Sequence, residues 1–126
     1  MARRRRLTTS VAPRADRVVL YIRVSTDKQA ENRLSLEEQE LQLRNHCESK
    51  GLIVVGVYCD AGESASSLNR PQLQKMLERC KDGTHSVDAV LVHSISRAFR
   101  NLFEQEATVR ELAAHRVGIR SLSDNI

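Results

Sequence analysis

Four short apolar runs alternate along the chain with longer stretches in which apolar residues recur every three or four positions. Residues 18–24 (VVLYIRV), 52–58 (LIVVGVY), 87–92 (VDAVLV) and 117–122 are rich in β-branched residues and of strand length. Ser35 opens a helix through the capping-box pattern Ser35-x-x-Glu38 and carries Leu36, Leu43 and Cys47 along one side until Gly51 stops it. Pro71 stands at a tolerated first helical position, and Leu73, Met76, Leu77 and Cys80 follow at i, i+3, i+4 and i+7. The spacing predicts a third helix from near Ser96 that buries Phe99, Leu102, Val109 and Ala113 and ends before Gly118. Segments 26–34 and 60–69 are loops by composition. This β-α-β-α-β-α-β order predicts a three-layer α/β domain: a mainly parallel sheet of four to five strands, right-handed crossovers, and helices on both faces.

Composition fits this picture and adds little to it. The chain has 126 residues, enough for one core, and 40% are apolar with only two Phe, two Tyr and no Trp, so Leu, Val, Ile and Ala must fill the interior. Cys47, Cys59 and Cys80 are widely spaced and form no CxxC pair, which argues against a zinc site and a disulfide framework. No apolar run reaches membrane-spanning length, so the expectation is a soluble, cytoplasmic protein.

Charge is more informative by its position. The formal net charge is +4, but residues 1–17 carry six Arg against one Asp, leaving 14 basic and 15 acidic residues from Val18 onward. Residues 1–17 therefore read as a basic, disordered arm and 18–126 as the folded domain. Any affinity of the folded part for a polyanion must come from where a few arginines stand.

In a parallel sheet, ligands bind beyond the carboxyl ends of the strands. The first strand ends in Arg23-Val24-Ser25, the second in Cys59-Asp60, and the third in a segment that leads to Arg97 and, three residues on, Arg100. Alternation puts Tyr21, Arg23 and Ser25 on one face and Leu20, Ile22 and Val24 on the other. Arginine's planar fork matches phosphate oxygens and stays charged, so Arg23, Arg97 and Arg100 suit the stabilisation of a phosphoryl transition state, with Ser25 as nucleophile. No paired carboxylates or histidine cluster recur at ligand spacing, so the expected chemistry uses no metal and no cofactor.

Each of these residues also has a plainer reading. Arg23 could pair with Asp60 across adjacent strand ends, Arg70 could be a solvated loop residue, and Gln39 could simply be exposed. Tyr21 is more often a core residue, and His93 at a strand end is more often structural. A phospho-receiver or nucleotide-binding module is disfavoured: arginine and serine stand where a receiver needs acids, and no glycine-rich loop follows a strand. A non-catalytic DNA-binding or assembly module of the same fold remains the alternative.

Together, Tyr21-Ile22-Arg23-Val24-Ser25-Thr26, Gln39, Asp60-Ala-Gly-Glu-Ser64, Asn69-Arg70-Pro71 and Ser96-Arg97-Ala-Phe-Arg100 resemble the catalytic-domain motifs of the serine recombinases, the resolvase and invertase family that includes the large serine integrases. The resemblance runs from about Val18 to the end and implies a resolvase-like fold. It implies that Ser25 attacks double-stranded DNA to leave a 5′-phosphoserine link and a free 3′-hydroxyl. It implies phosphate binding by Arg23, Arg97 and Arg100, with Arg70, Asp60, Ser64, Gln39 and Tyr21 in support. Self-association to a dimer and a synaptic tetramer is implied for the full-length protein, whose dimer-forming helix and DNA-binding domains this sequence does not represent. The sequence departs from many members in having Ser96 where they have Asp.

Overall fold

A computed structural model of the chain describes residues 16–25, 35–62, 70–99 and 101–123, and only the backbone at 24, 25, 61, 62, 96 and 97. The elements are β1 (Arg17–Ser25), α1 (Leu36–Lys50), β2 (Ile53–Gly62), α2 (Pro71–Cys80), β3 (Ala89–Val92), α3 (Ile95–Ala98), α4 (Leu102–Ala113) and β4 (Gly118–Ser121). They form a four-stranded sheet of order β2-β1-β3-β4 in which every neighbouring pair is parallel.

The two central strands are the ones that read as unbroken apolar runs. Residues 18–22 of β1 and all of β3 are buried, because a parallel sheet with helices on both sides leaves neither face to water. Val18, Leu20 and Ile22 pack with Leu43 and Cys47 of α1 on one side. Val19 and Tyr21 pack with Leu73, Met76 and Leu77 of α2 and with Ile95, Phe99 and Leu112 on the other. This is the alternation expected for β1, with Tyr21 on the face opposite Leu20 and Ile22.

α1 ends as its sequence predicts. Ser35 Oγ accepts from the Glu38 amide, Glu38 accepts from the Ser35 amide, and Gly51 closes the helix with φ 71°, a conformation that favours glycine. Its buried stripe is Gln39, Leu43 and Cys47, so Gln39 is an interior residue rather than a surface one.

Three boundaries differ from expectation. Asp16 and Arg17 belong to the fold rather than to the basic arm. Arg17 opens β1 and its amide donates to Asp88 Oδ2 at 2.8 Å, and Asp16 pairs with Arg120 of β4 at 2.8 Å. β2 runs on to Gly62, because its partner β1 continues to Ser25 and the register Arg23↔Asp60, Val24↔Ala61, Ser25↔Gly62 carries the ladder forward. Asp60 is thus a strand residue and not the start of a loop. Near the other end of this pair the register slips between Val18 and Val19, and the Val55 carbonyl beside that slip accepts from Arg79 Nη1 of α2 at 2.7 Å. A Cβ at Gly56 would lie 2.7 Å from the same nitrogen, so glycine leaves room for that bond.

The third difference is the single helix expected from residue 96, which is two helices. Asn101 is extended (φ −159°, ψ 173°) and its side chain accepts from the Glu104 amide, so a new helix starts at Leu102 in a new phase. The inward stripe of α4 holds Thr108 and Leu112. Leu102 (64%), Val109 (41%) and Ala113 are exposed instead of buried, and neighbouring Phe103 is 83% exposed. Phe99, which precedes the break, is buried as expected.

The cysteines are free. Burial lifts the Cys80 thiol to about 11 and pushes Cys47 and Cys59 up as well, with Glu40 and Asp60 adding to the shift at Cys59. Thiolate is the reactive form, so iodoacetamide at pH 8 should label Cys80 about 100-fold more slowly in the native protein than in urea. Equal rates would mean that α2 does not hold Cys80 in the core.

Candidate active site at the carboxyl edge of the sheet

Asp60 is the centre of the described part of this edge. It is buried on β2, and three donors converge on its carboxylate: Tyr21 Oη at 2.8 Å, the Gln72 amide at 3.0 Å and the Leu73 amide at 3.0 Å. The last two are the second and third residues of α2, whose amides have no partner within the helix. Arg70 precedes α2 but makes no side-chain cap, and Pro71 has no amide hydrogen to satisfy. Asp60 therefore does from the sheet what an N-cap residue does locally, and places a negative charge at the positive end of the helix.

Tyr21 is fixed by the same bond. Burial first, then the hydrogen bond to Asp60 and its charge, hold the phenol well above its ordinary range, against the opposing charges of Arg70 and Arg23. The phenol stays neutral and donates. Arg23 is half-buried two residues further along β1, register-paired with Asp60. The expected partnership of Arg23 and Asp60 appears as this adjacency, while the hydrogen bonds described for the carboxylate go to Tyr21 and α2.

Freed from capping, the Arg70 side chain turns toward the helices after β3. It is 6% exposed, and its Nη1 donates to the Ala98 carbonyl at 2.8 Å and pairs with Glu104 Oε1 at 2.9 Å. Arg70 is a buried, anchored residue rather than a solvated one. Ala98 directly follows Arg97, so Arg70 touches the backbone beside it.

The structure thus brings Tyr21, Arg23, Asp60 and Arg70 to one edge, where β1 ends at Ser25 and α3 carries Arg97. The side chains of Ser25 and Arg97 lie outside what is described, as do Arg100 and Ser64 altogether. Gln39 lies on the α1 side of the sheet, whereas Tyr21 packs on the α2 side. His93 follows β3, and its Nε2 lies 2.7 Å from Gln42 Oε1 of α1, which fits the structural reading. Sequence reasoning missed Glu104. The pattern Asn101-x-x-Glu104, an N-cap signature inside an apparently continuous helix, was the available signal.

The family description "Resolvase, N terminal domain" matches residues 18–126. This chain belongs to the serine recombinases. Among solved structures it is similar to the N-terminal catalytic domain of TP901-1 integrase, with 28% identity, a TM-score of 0.76, and coverage of 88% of this chain and 80% of that one. It is also similar to a resolvase family site-specific recombinase from Streptococcus pneumoniae, with 35% identity, a TM-score of 0.75, and coverage of 88% and 74%. A curated relative, the uncharacterized immunity region protein 3 of Bacillus phage phi105, is 38% identical over 66 residues, 52% of this chain and 80% of that protein. The four-stranded parallel sheet with helices on both faces is the recombinase fold that the sequence led us to expect. No helix among the described residues is long and apolar enough to cross a membrane.

Proposed function

We propose that this domain cuts and rejoins double-stranded DNA in site-specific recombination, with Ser25 as the nucleophile. Ser25 Oγ attacks a backbone phosphorus, a serine–phosphate bond forms, the bond to the 3′-oxygen breaks, and that oxygen leaves as a 3′-hydroxyl with a proton. The phosphodiester is exchanged rather than hydrolysed, so the reverse attack by a 3′-hydroxyl reseals the strand without an energy source. Arg23, Arg97 and Arg100 stabilise the charge that builds on the phosphoryl oxygens. Arg70, Tyr21 and Asp60 shape and hold that edge, Gln39 and Ser64 support it, and the work is done in the cytoplasm, where the DNA is, by subunits that assemble in pairs and fours.

The observation that carries this reading is the convergence of Arg23 and Arg70 around the Tyr21–Asp60 bond at the strand end that terminates in Ser25. Arg70 pairs with Glu104 through Nη1 alone, so its guanidinium fork still offers a donor of the kind that binds a phosphate oxygen.

The test is to incubate the full-length protein with DNA carrying its recombination site, quench with denaturant, digest with nuclease and protease, and locate the nucleotide by mass spectrometry. A 5′-nucleotide on the peptide that contains Ser25 is the expected result. An adduct on another residue would defeat the assignment, and free 5′-phosphate ends without an adduct would point to hydrolysis.

A further inference from the structure

Arg70 is held by one of its two terminal nitrogens. Nη1 has both the Ala98 carbonyl and Glu104 Oε1, while Nη2 is buried and has no partner among the described residues. A buried guanidinium donor left unpaired is costly and needs an explanation. The charge of Arg70 acts on the Tyr21 phenol together with that of Arg23, so the group lies at the proposed DNA edge.

Glu104 comes from a different part of the chain from the other residues of this edge. It is the third residue of α4, and the Asn101 cap sets the phase that turns it toward Arg70 along the stripe that continues through Thr108 and Leu112. A glutamate in the first turn also suits the helix dipole, which would be a purely structural use. The ion pair at 2.9 Å to a guanidinium with a side-chain exposure of 5% goes beyond that use.

We propose that Glu104 is a positioning residue, which fixes Nη1 of Arg70 against the Ala98 carbonyl and so presents Nη2 to a phosphate oxygen of the DNA. This deepens the function proposed above and rests on it. Arg70 then reaches the phosphate already oriented, and the loss of side-chain freedom on binding is small. The same bond makes the aim of an active-site arginine depend on where α4 sits.

The experiment uses inorganic phosphate as probe, titrated into the chain while the arginine side-chain resonances are followed by ¹⁵N–¹H NMR. Slow rotation should give the Arg70 Nη protons separate signals, and phosphate should shift them. Glu104→Ala should merge those signals and weaken phosphate binding about fivefold, and Glu104→Gln, which keeps an acceptor, should restore most of both. In an Arg70→Ala background, Glu104→Ala should cost nothing further, as a double-mutant cycle requires of a residue that acts only through Arg70. A loss that persists in that background, or wild-type affinity in Glu104→Ala when Arg70→Ala is impaired, would overturn the proposal alone. Wild-type affinity in Arg70→Ala itself would overturn the phosphate reading of this edge and the proposal with it.

Discussion

Asp60→Ala is expected to lower the melting temperature by about 10 °C, because it strands three donors at once. Loss of the cap on α2 costs about 1–2 kcal/mol. The buried Tyr21 hydroxyl left without an acceptor adds roughly 1–3 kcal/mol. A total near 3 kcal/mol corresponds to about 10 °C for a domain of this size. Asp60→Asn keeps one acceptor oxygen but turns an amide donor toward other donors, so it should fall between wild type and alanine. In a Tyr21→Phe background the cost of Asp60→Ala should shrink by about 1 kcal/mol, since the two residues share a bond. Circular dichroism melts at pH 7 of the wild type and these four variants check it. A drop of less than about 3 °C for Asp60→Ala would mean that Asp60 is not what holds α2 to the sheet.

That prediction was half legible in the sequence. Asp60 could be placed near the second strand end, and the motif around it pointed to an active-site role. Its use as a cap for α2 could not be read, because the donors lie 12 and 13 residues away and the local cap position is filled by Arg70. The central strands were legible because burial on both faces leaves a continuous apolar run, and α1 was legible because both its ends carry cap residues. The third helix was misread because Leu102, Val109 and Ala113 mimic a buried stripe that the Asn101 cap then rotates outward. Periodicity gives the phase of a helix only relative to its own start. Glu104 was hidden by the same error, since a continuous helix from Ser96 offers no reason to turn it inward.

Single-turnover strand cleavage should separate the nucleophile from the groups around it. Ser25→Ala is expected to abolish both cleavage and the covalent adduct, because no other atom supplies the bond to phosphorus. Arg97→Ala and Arg100→Ala should each slow cleavage by about 10²-fold or more, since each removes charge stabilisation of the transition state while leaving the serine in place. Whatever adduct the arginine variants still form should map to Ser25, and their melting temperatures should match wild type, because neither residue has an expected place in the core. The contrast matters more than either number. A non-catalytic assembly module with this fold would tolerate Ser25→Ala without loss, and a serine that served only to end β1 would give the same slow, partial defect as an arginine. Complete loss at Ser25 beside partial loss at Arg97 and Arg100 is the pattern that only covalent phosphoryl transfer through that hydroxyl produces. Cleavage by Ser25→Ala at even a hundredth of the wild-type rate would leave the attacking group somewhere else on this edge of the sheet.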